Sequence, residues 1–162
     1  MRDPSTPILW LFTLGAACRA TEPLPDVRGL QAIDVPATVQ LTASAARDSA
    51  GTQAVWLTFT NTSAVADTIL YGACSFAAQL RRLGSGAGSP VWDSRPPPEL
   101  PCEDIGYLLA LPAHGAGTVL AARIQALGTY VPPAPTGTFQ ANALLNVRGR
   151  AVIVPAGPVD LP

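Results

Sequence analysis

The chain has 162 residues, of which 48% are hydrophobic and 13% charged, and its net charge is −1. That is one domain's length with enough apolar material for a core, which argues against a disordered protein. All ten basic residues are Arg; with the abundant Ala, Gly and Pro this reads as GC-rich coding, and the near-neutral balance offers nucleic acid no basic field.

The N-terminus reads as an export signal. Arg2 opens a short charged region, and Ile8 to Ala17 ("ILWLFTLGAA") is an apolar run. It is too short to span a bilayer at about 20 residues but suits the apolar region of a signal peptide. Small residues then precede Cys18. "LGAAC" resembles the lipobox of bacterial lipoproteins, with Leu14 one place further from the cysteine than usual. The resemblance implies a signal peptide over 1–17, a lipid anchor on Cys18, and a protein held on the membrane of the bacterial cell envelope. Cleavage after Ala17 or Ala20, giving a soluble secreted protein, and a retained anchor are the alternatives. If Cys18 carries lipid, Cys74 and Cys102 remain as a pair in an oxidising compartment, where disulfides persist. One histidine and no C-x-x-C argue against zinc.

Residues 18–32 read as a polar, Pro-containing tether, and 33–162 as the domain. Strands dominate the domain. Ile33 to Ala45 places Val35, Ala37, Val39, Leu41 and Ala43 on one face. "AVWLTFT" places Val55, Leu57 and Phe59 on one face and Trp56, Thr58 and Thr60 on the other. "DTILYG" and "FAAQLRRL" flank Gly72-Ala73-Cys74, and "PVWDS" is a short edge-like strand. "RPPPELPCED" (Arg95 to Asp104) is a loop, because Pro does not sit in a central ladder. "YLLAL" precedes the turn "PAHGAG". "TVLAARIQAL" has helix-favouring residues, yet the hairpin-like turn before it and Thr118-Val119 favour a strand. "TFQANALLNVRG" alternates, with Phe139, Ala141, Ala143, Leu145 and Val147 on one side. "AVIVPAGPVDLP" completes the chain as a last strand and a short tail. Short strands between Gly and Pro turns predict an all-β protein, an antiparallel β-sandwich.

The order of four segments carries a family resemblance. These are "LTFTNTSAVADTILYG", "CSFAAQLRRLGSGAGSPVWD", "LALPAHGAGTV" and "PPAPTGTFQANALLNVRG". The chain resembles the intracellular proteinase inhibitor (BsuPI) family over roughly Val55 to Arg150. The matching positions are Asn61, Thr62 and Ser63; Phe76, Val91 and Trp92; Leu111, Pro112 and Gly115; and Pro135, Gly137, Thr138 and Phe139. The resemblance implies an immunoglobulin-like β-sandwich that binds a protein partner, such as a serine proteinase of the subtilisin type. The export-type N-terminus and the Cys74–Cys102 pair are additions to the family pattern.

Nothing in the chain points to catalysis. His114 is the only histidine and sits in a turn, and no G-x-S-x-G elbow supplies a nucleophile. Asp93, Glu99, Glu103 and Asp104 surround Cys102 with a spacing that fits neither a glycosidase pair nor a calcium loop. "GSGAGS" lacks the Lys and helix of a phosphate cradle. No cofactor is expected. Asn61-Thr62-Ser63 fits a glycosylation acceptor, but it also fits a polar turn at a strand end. Trp56, Trp92, Arg95, Glu99 and Glu103 are the candidate binding surface, with the Arg95–Glu103 loop as the inhibitory element. The alternative is a structural or carbohydrate-binding envelope protein that uses the two tryptophans.

Overall fold

The computed structural model describes residues 26–84, 89–97, 102–103, 105–124 and 133–162. Those residues form strands and turns with no helix. The strands are β1 (Ala32–Ile33), β2 (Val39–Arg47), β3 (Gln53–Asn61), β4 (Asp67–Gly72), β5 (Phe76–Arg82), β6 (Trp92–Asp93), β7 (Gly106–Leu111), β8 (Ala116–Arg123), β9 (Gly137–Val147) and β10 (Arg150–Leu161).

They make three sheets. The largest runs β10-β9-β5-β6, and β1 extends the β5 side of β9 in parallel, Ala32 opposite Asn146 and Ile33 opposite Val147. The second is β2-β3-β8, and the third is the antiparallel pair β4-β7. The two larger sheets pack face to face, an arrangement consistent with a β-sandwich.

Period-two patterning builds the core. Val55, Leu57 and Phe59 of β3 are fully buried, while Trp56, Thr58 and Thr60 turn outward and stay half-exposed. Phe139, Ala141, Ala143 and Leu145 of β9 meet them from the larger sheet. Each buried Leu or Phe removes apolar surface worth about 1.5–3 kcal/mol from water. Gly117 lies opposite Phe59, and a Cβ there would come within 2.7 Å of Leu109 Cδ1. A glycine at this point lets β7 close over β8.

Three boundaries differ from the sequence expectation. The run from Ile33 to Ala45 is two strands, because Asp34 to Thr38 turn, with Val39 N donating to Pro36 O at 3.0 Å. Pro36 has no N–H to continue a ladder. The C-terminal tail is strand: β10 pairs with β9 to Leu161, past a bulge between Pro155 and Gly157, and buries Val159 and Leu161. Residues 26–32, at the end of the expected tether, lie against the domain. Leu30 is buried in a second small cluster with Ala77 and Leu144, on the side of the large sheet away from the main core. Ala116–Arg123 is a strand, as the turn before it indicates.

Candidate functional surface

Asn61 ends β3 with its side chain fully buried. Its Nδ2 donates to Val65 O at 2.8 Å, Pro112 O at 3.2 Å and Leu111 O at 3.4 Å. Its Oδ1 accepts from Ser63 N at 3.0 Å. One amide therefore closes the β3–β4 turn and fastens it to the β7–β8 turn. A buried, fully engaged side chain is not a glycan acceptor, so the polar-turn reading of Asn61-Thr62-Ser63 holds. His114 occupies the facing turn, exposed, with φ of 52° and its N donating to Ser63 O at 2.9 Å.

The second pin is covalent. Cys74 and Cys102 are bonded, with Cα atoms 5.9 Å apart. The bond ties the end of β4 to the approach to β7. Beside it Gln31 N donates to Cys74 O at 3.0 Å. The Gln31 side-chain oxygen accepts from Cys74 N at 3.4 Å and lies where a Cβ on Gly72 would stand, 1.9 Å away. Any side chain at position 72 would expel it.

The expected binding residues scatter. Arg95 is part of a network: Nε reaches Asp93 Oδ2 at 2.9 Å, Nη2 reaches the same oxygen at 2.8 Å, and Nη1 donates to Asp26 O at 2.5 Å. Asp93 in turn accepts from Gln79 Nε2 at 2.8 Å. Two polar atoms on the paired residues of β5 and β9, Gln79 Oε1 and Asn142 Nδ2, are buried without a hydrogen-bond partner among the described residues. Sequence reasoning missed this strip, although Gln79 and Asn142, each set between alanines or leucines, are the signal that marks it.

Trp92 is buried in the main core, whereas Trp56 is half-exposed on the outer face of the three-stranded sheet, between Ser44 and Leu120. The two rings do not share a surface. Glu103 is exposed beside the disulfide; Glu99, Asp104 and Cys18 lie outside the described residues. The hydroxyls of Thr58 and Thr118 bond across that outer face at 3.0 Å.

The electrostatics are local. Asp48 caps the β2–β3 turn: its Oδ2 accepts from Arg123 Nε at 2.7 Å, and its Oδ1 accepts from Ala50 N and Thr52 N. The Arg123 bond, with those amides, holds the Asp48 carboxyl below its ordinary range. Asp26 is lowered likewise, first by the Arg28 backbone N–H and then by its guanidinium. Among the described residues no group of three or more His, Cys, Asp or Glu is placed to hold a metal ion.

The sequence did not single out β4-β7. Leu70 and Leu108 are direct partners on its outward face, 62% and 74% exposed. Ile105 and Tyr107 are also exposed, and Tyr107 stacks on Tyr71 at 5.3 Å. At the Gly72–Gly106 end a notch of about 250 Å³ opens between Gln31, Leu70, Tyr71 and Ile105. No family model, curated protein or solved structure matches the chain.

Proposed function

We propose that this chain is an exported, lipid-anchored envelope protein whose domain is an immunoglobulin-like, BsuPI-like β-sandwich serving as a protein-binding module. The immunoglobulin-like reading is supported by the strand order: β10-β9-β5-β6 stacked on β2-β3-β8 is an order that fold uses. It has no catalytic or cofactor role in this reading. Its partner is a protein, with a subtilisin-like serine proteinase the first to test.

The observation that carries the inhibitor version is how the Arg95–Glu103 loop is held. Arg95 is fixed at one end by Asp93 and Asp26, and Cys102 is fixed at the other by its disulfide. Fixing the two ends of a loop removes part of the freedom it would otherwise lose on entering a cleft, and preorganisation of that kind raises affinity. In this role Arg95 positions the loop through its ion pair, and Glu103 is the exposed charge beside it. Titration of the mature domain against subtilisin-like proteinases tests the reading. Inhibition that saturates near one equivalent supports it, and full proteinase activity at micromolar excess removes it.

One observation favours a glycan-binding envelope protein as the second reading: Trp56 stands half-exposed among Ser44, Thr58 and Thr118. Trp92 is withdrawn from that role by burial. Quenching of Trp56 fluorescence by cell-wall glycans, lost in Trp56→Phe, would select it.

A further inference from the structure

Outward-facing residues of a sheet in water are ordinarily polar, and those of β2-β3-β8 are mostly so, with Gln40, Thr42, Ser44, Thr58 and Thr118 around a half-exposed Trp56 and Leu120. The β4-β7 sheet does not. Its outward positions are Thr68, Leu70 and Gly72 on one strand and Gly106, Leu108 and Ala110 on the other, with no charge among them. Leu70 is 62% exposed, Leu108 74%, and Ile105 at the sheet's end 46%. Three of the seven exposed large apolar side chains among the described residues, Leu70, Leu108 and Ile105, gather at this one place. Contiguous apolar surface of this kind marks an interaction site.

We infer that this face rests on the lipid bilayer to which Cys18 is attached. The inference depends on the proposed lipid anchor. If Cys18 is acylated, residues 19–25 are all that separates the bilayer from Asp26, and a fully extended chain of that length reaches about 28 Å. The domain is then confined beside the membrane at high local concentration, where a small apolar face suffices to orient it. Residues 26–31 bring the chain to the edge of this face, since Gln31 and Ala32 line the notch shared with Leu70 and Ile105. The face has the composition of an interfacial contact: two leucines and an isoleucine to enter the acyl boundary, and no charged residue among its paired outward positions. Among the described residues the exposed charge nearest Ile105 in the chain is Glu103, which is acidic, so the contact is apolar and gains nothing from anionic lipid.

The test uses the full chain, exported, purified in detergent and reconstituted into phosphatidylcholine vesicles with brominated acyl chains. Leu108→Trp places a reporter in the face, and Thr42→Trp places one on the outer face of β2, in the three-stranded sheet. The expected result is loss of about half or more of the added Leu108→Trp emission, with Thr42→Trp unaffected, as for an apolar group sunk into the acyl boundary. Phosphatidylglycerol in the vesicles should leave the result unchanged. Intact mass, compared with Cys18→Ser, reports the acyl group separately. No acyl mass on Cys18 would overturn the anchor reading and this inference together. An acylated chain with equal or absent quenching at both positions would overturn this inference alone. Absent quenching with a dimer that Leu70→Ser plus Leu108→Ser dissolves would also overturn it, assigning the face to a second copy.

Discussion

The three-stranded sheet β2-β3-β8 and the two-stranded sheet β4-β7 are built from similar stretches of apolar and β-branched residues, yet they are secured in different ways. In the first, Val39 to Arg47 pairs without interruption with Gln53 to Asn61, and the inner face buries Val55, Leu57 and Phe59. The ladder and the core do the holding, and the outer face is free to be polar. In the second, six pairs join two strands, only Ile69 and Leu111 are fully inside, and the leucines of the outer face point to solvent. Two strands alone are marginal in water. This sheet is pinned at its ends, by Asn61 at Asp67–Leu111 and by the disulfide near Gly72–Gly106. Two point fasteners hold a surface whose outer leucines lie outside the core.

The largest effect should come from breaking the covalent pin. Cys74→Ser with Cys102→Ser reopens a loop of 28 residues and should lower stability by roughly 3–4 kcal/mol on chain-entropy grounds. Denaturant midpoints measure the loss. Hydrogen exchange should show it concentrated in β4 and β7, with the β2-β3 ladder protected longest. Uniform loss would mean the two sheets open together.

Asn61→Ala comes next, at about 2–3 kcal/mol, because it strips the buried Leu111 carbonyl of its side-chain donor and leaves two neighbours to find water. Asn61→Asp keeps the acceptor for Ser63 N and loses every donor. It should be as damaging as Ala, and a milder effect would show that the Ser63 bond dominates.

Acid should act on the better-laddered sheet at one point. The Asp48 carboxyl is held below the ordinary aspartate value of 3.8 by Arg123 and two amides. A depressed folded pKa contributes stability above the unfolded value, and that contribution disappears as pH falls through the folded one. Protection of the Ala50 and Thr52 amides should therefore be constant above about pH 4, near the unfolded aspartate value, and decline below it. Asp48→Asn should flatten that profile.

The smallest effect is the most informative for the comparison. Leu70→Thr with Leu108→Thr should shift stability by no more than about 0.5 kcal/mol, as for exposed positions generally. A loss several times larger would make the outer leucines part of the fold.

Much of the larger sheets was legible in the sequence because alternation was clean. Val55, Leu57 and Phe59 turned inward together, as did Phe139, Ala141 and Ala143. Asn61-Thr62-Ser63 was readable as a strand end because Asn closes turns with its own side chain. The small sheet was not legible for the opposite reason. "YLLAL" is apolar at every position, so period two cannot say which residues face out. The tryptophans were ambiguous because the alternation around "PVWDS" spans too few residues to fix a side, and Trp92 went inward. Arg95 could be placed in a loop, but its partner Asp26 lies 69 residues away and no local pattern announces that contact. Pro36 was visible, but its break in the ladder was outweighed by the apolar spacing around it. The full length of the C-terminal strand was hidden because Pro155 and Pro158 look like terminators. Among the described residues β10 pairs with β9 alone, and a bulge between Pro155 and Gly157 absorbs the misfit.

The way the chain enters the domain also decides how it would carry a mechanical load. A pull on the N-terminal end arrives first at Asp26, whose carbonyl is held by Arg95, then at Leu30 and Gln31. Gln31 is clipped to Cys74, and Cys74 is cross-linked to Cys102. Tension thus meets hydrogen bonds to a cross-linked loop before it reaches β1, whose short parallel pairing with β9 would otherwise bear it alone. These contacts are strain relief at the point where the cord meets the plug, and they must part before β1 is peeled from β9.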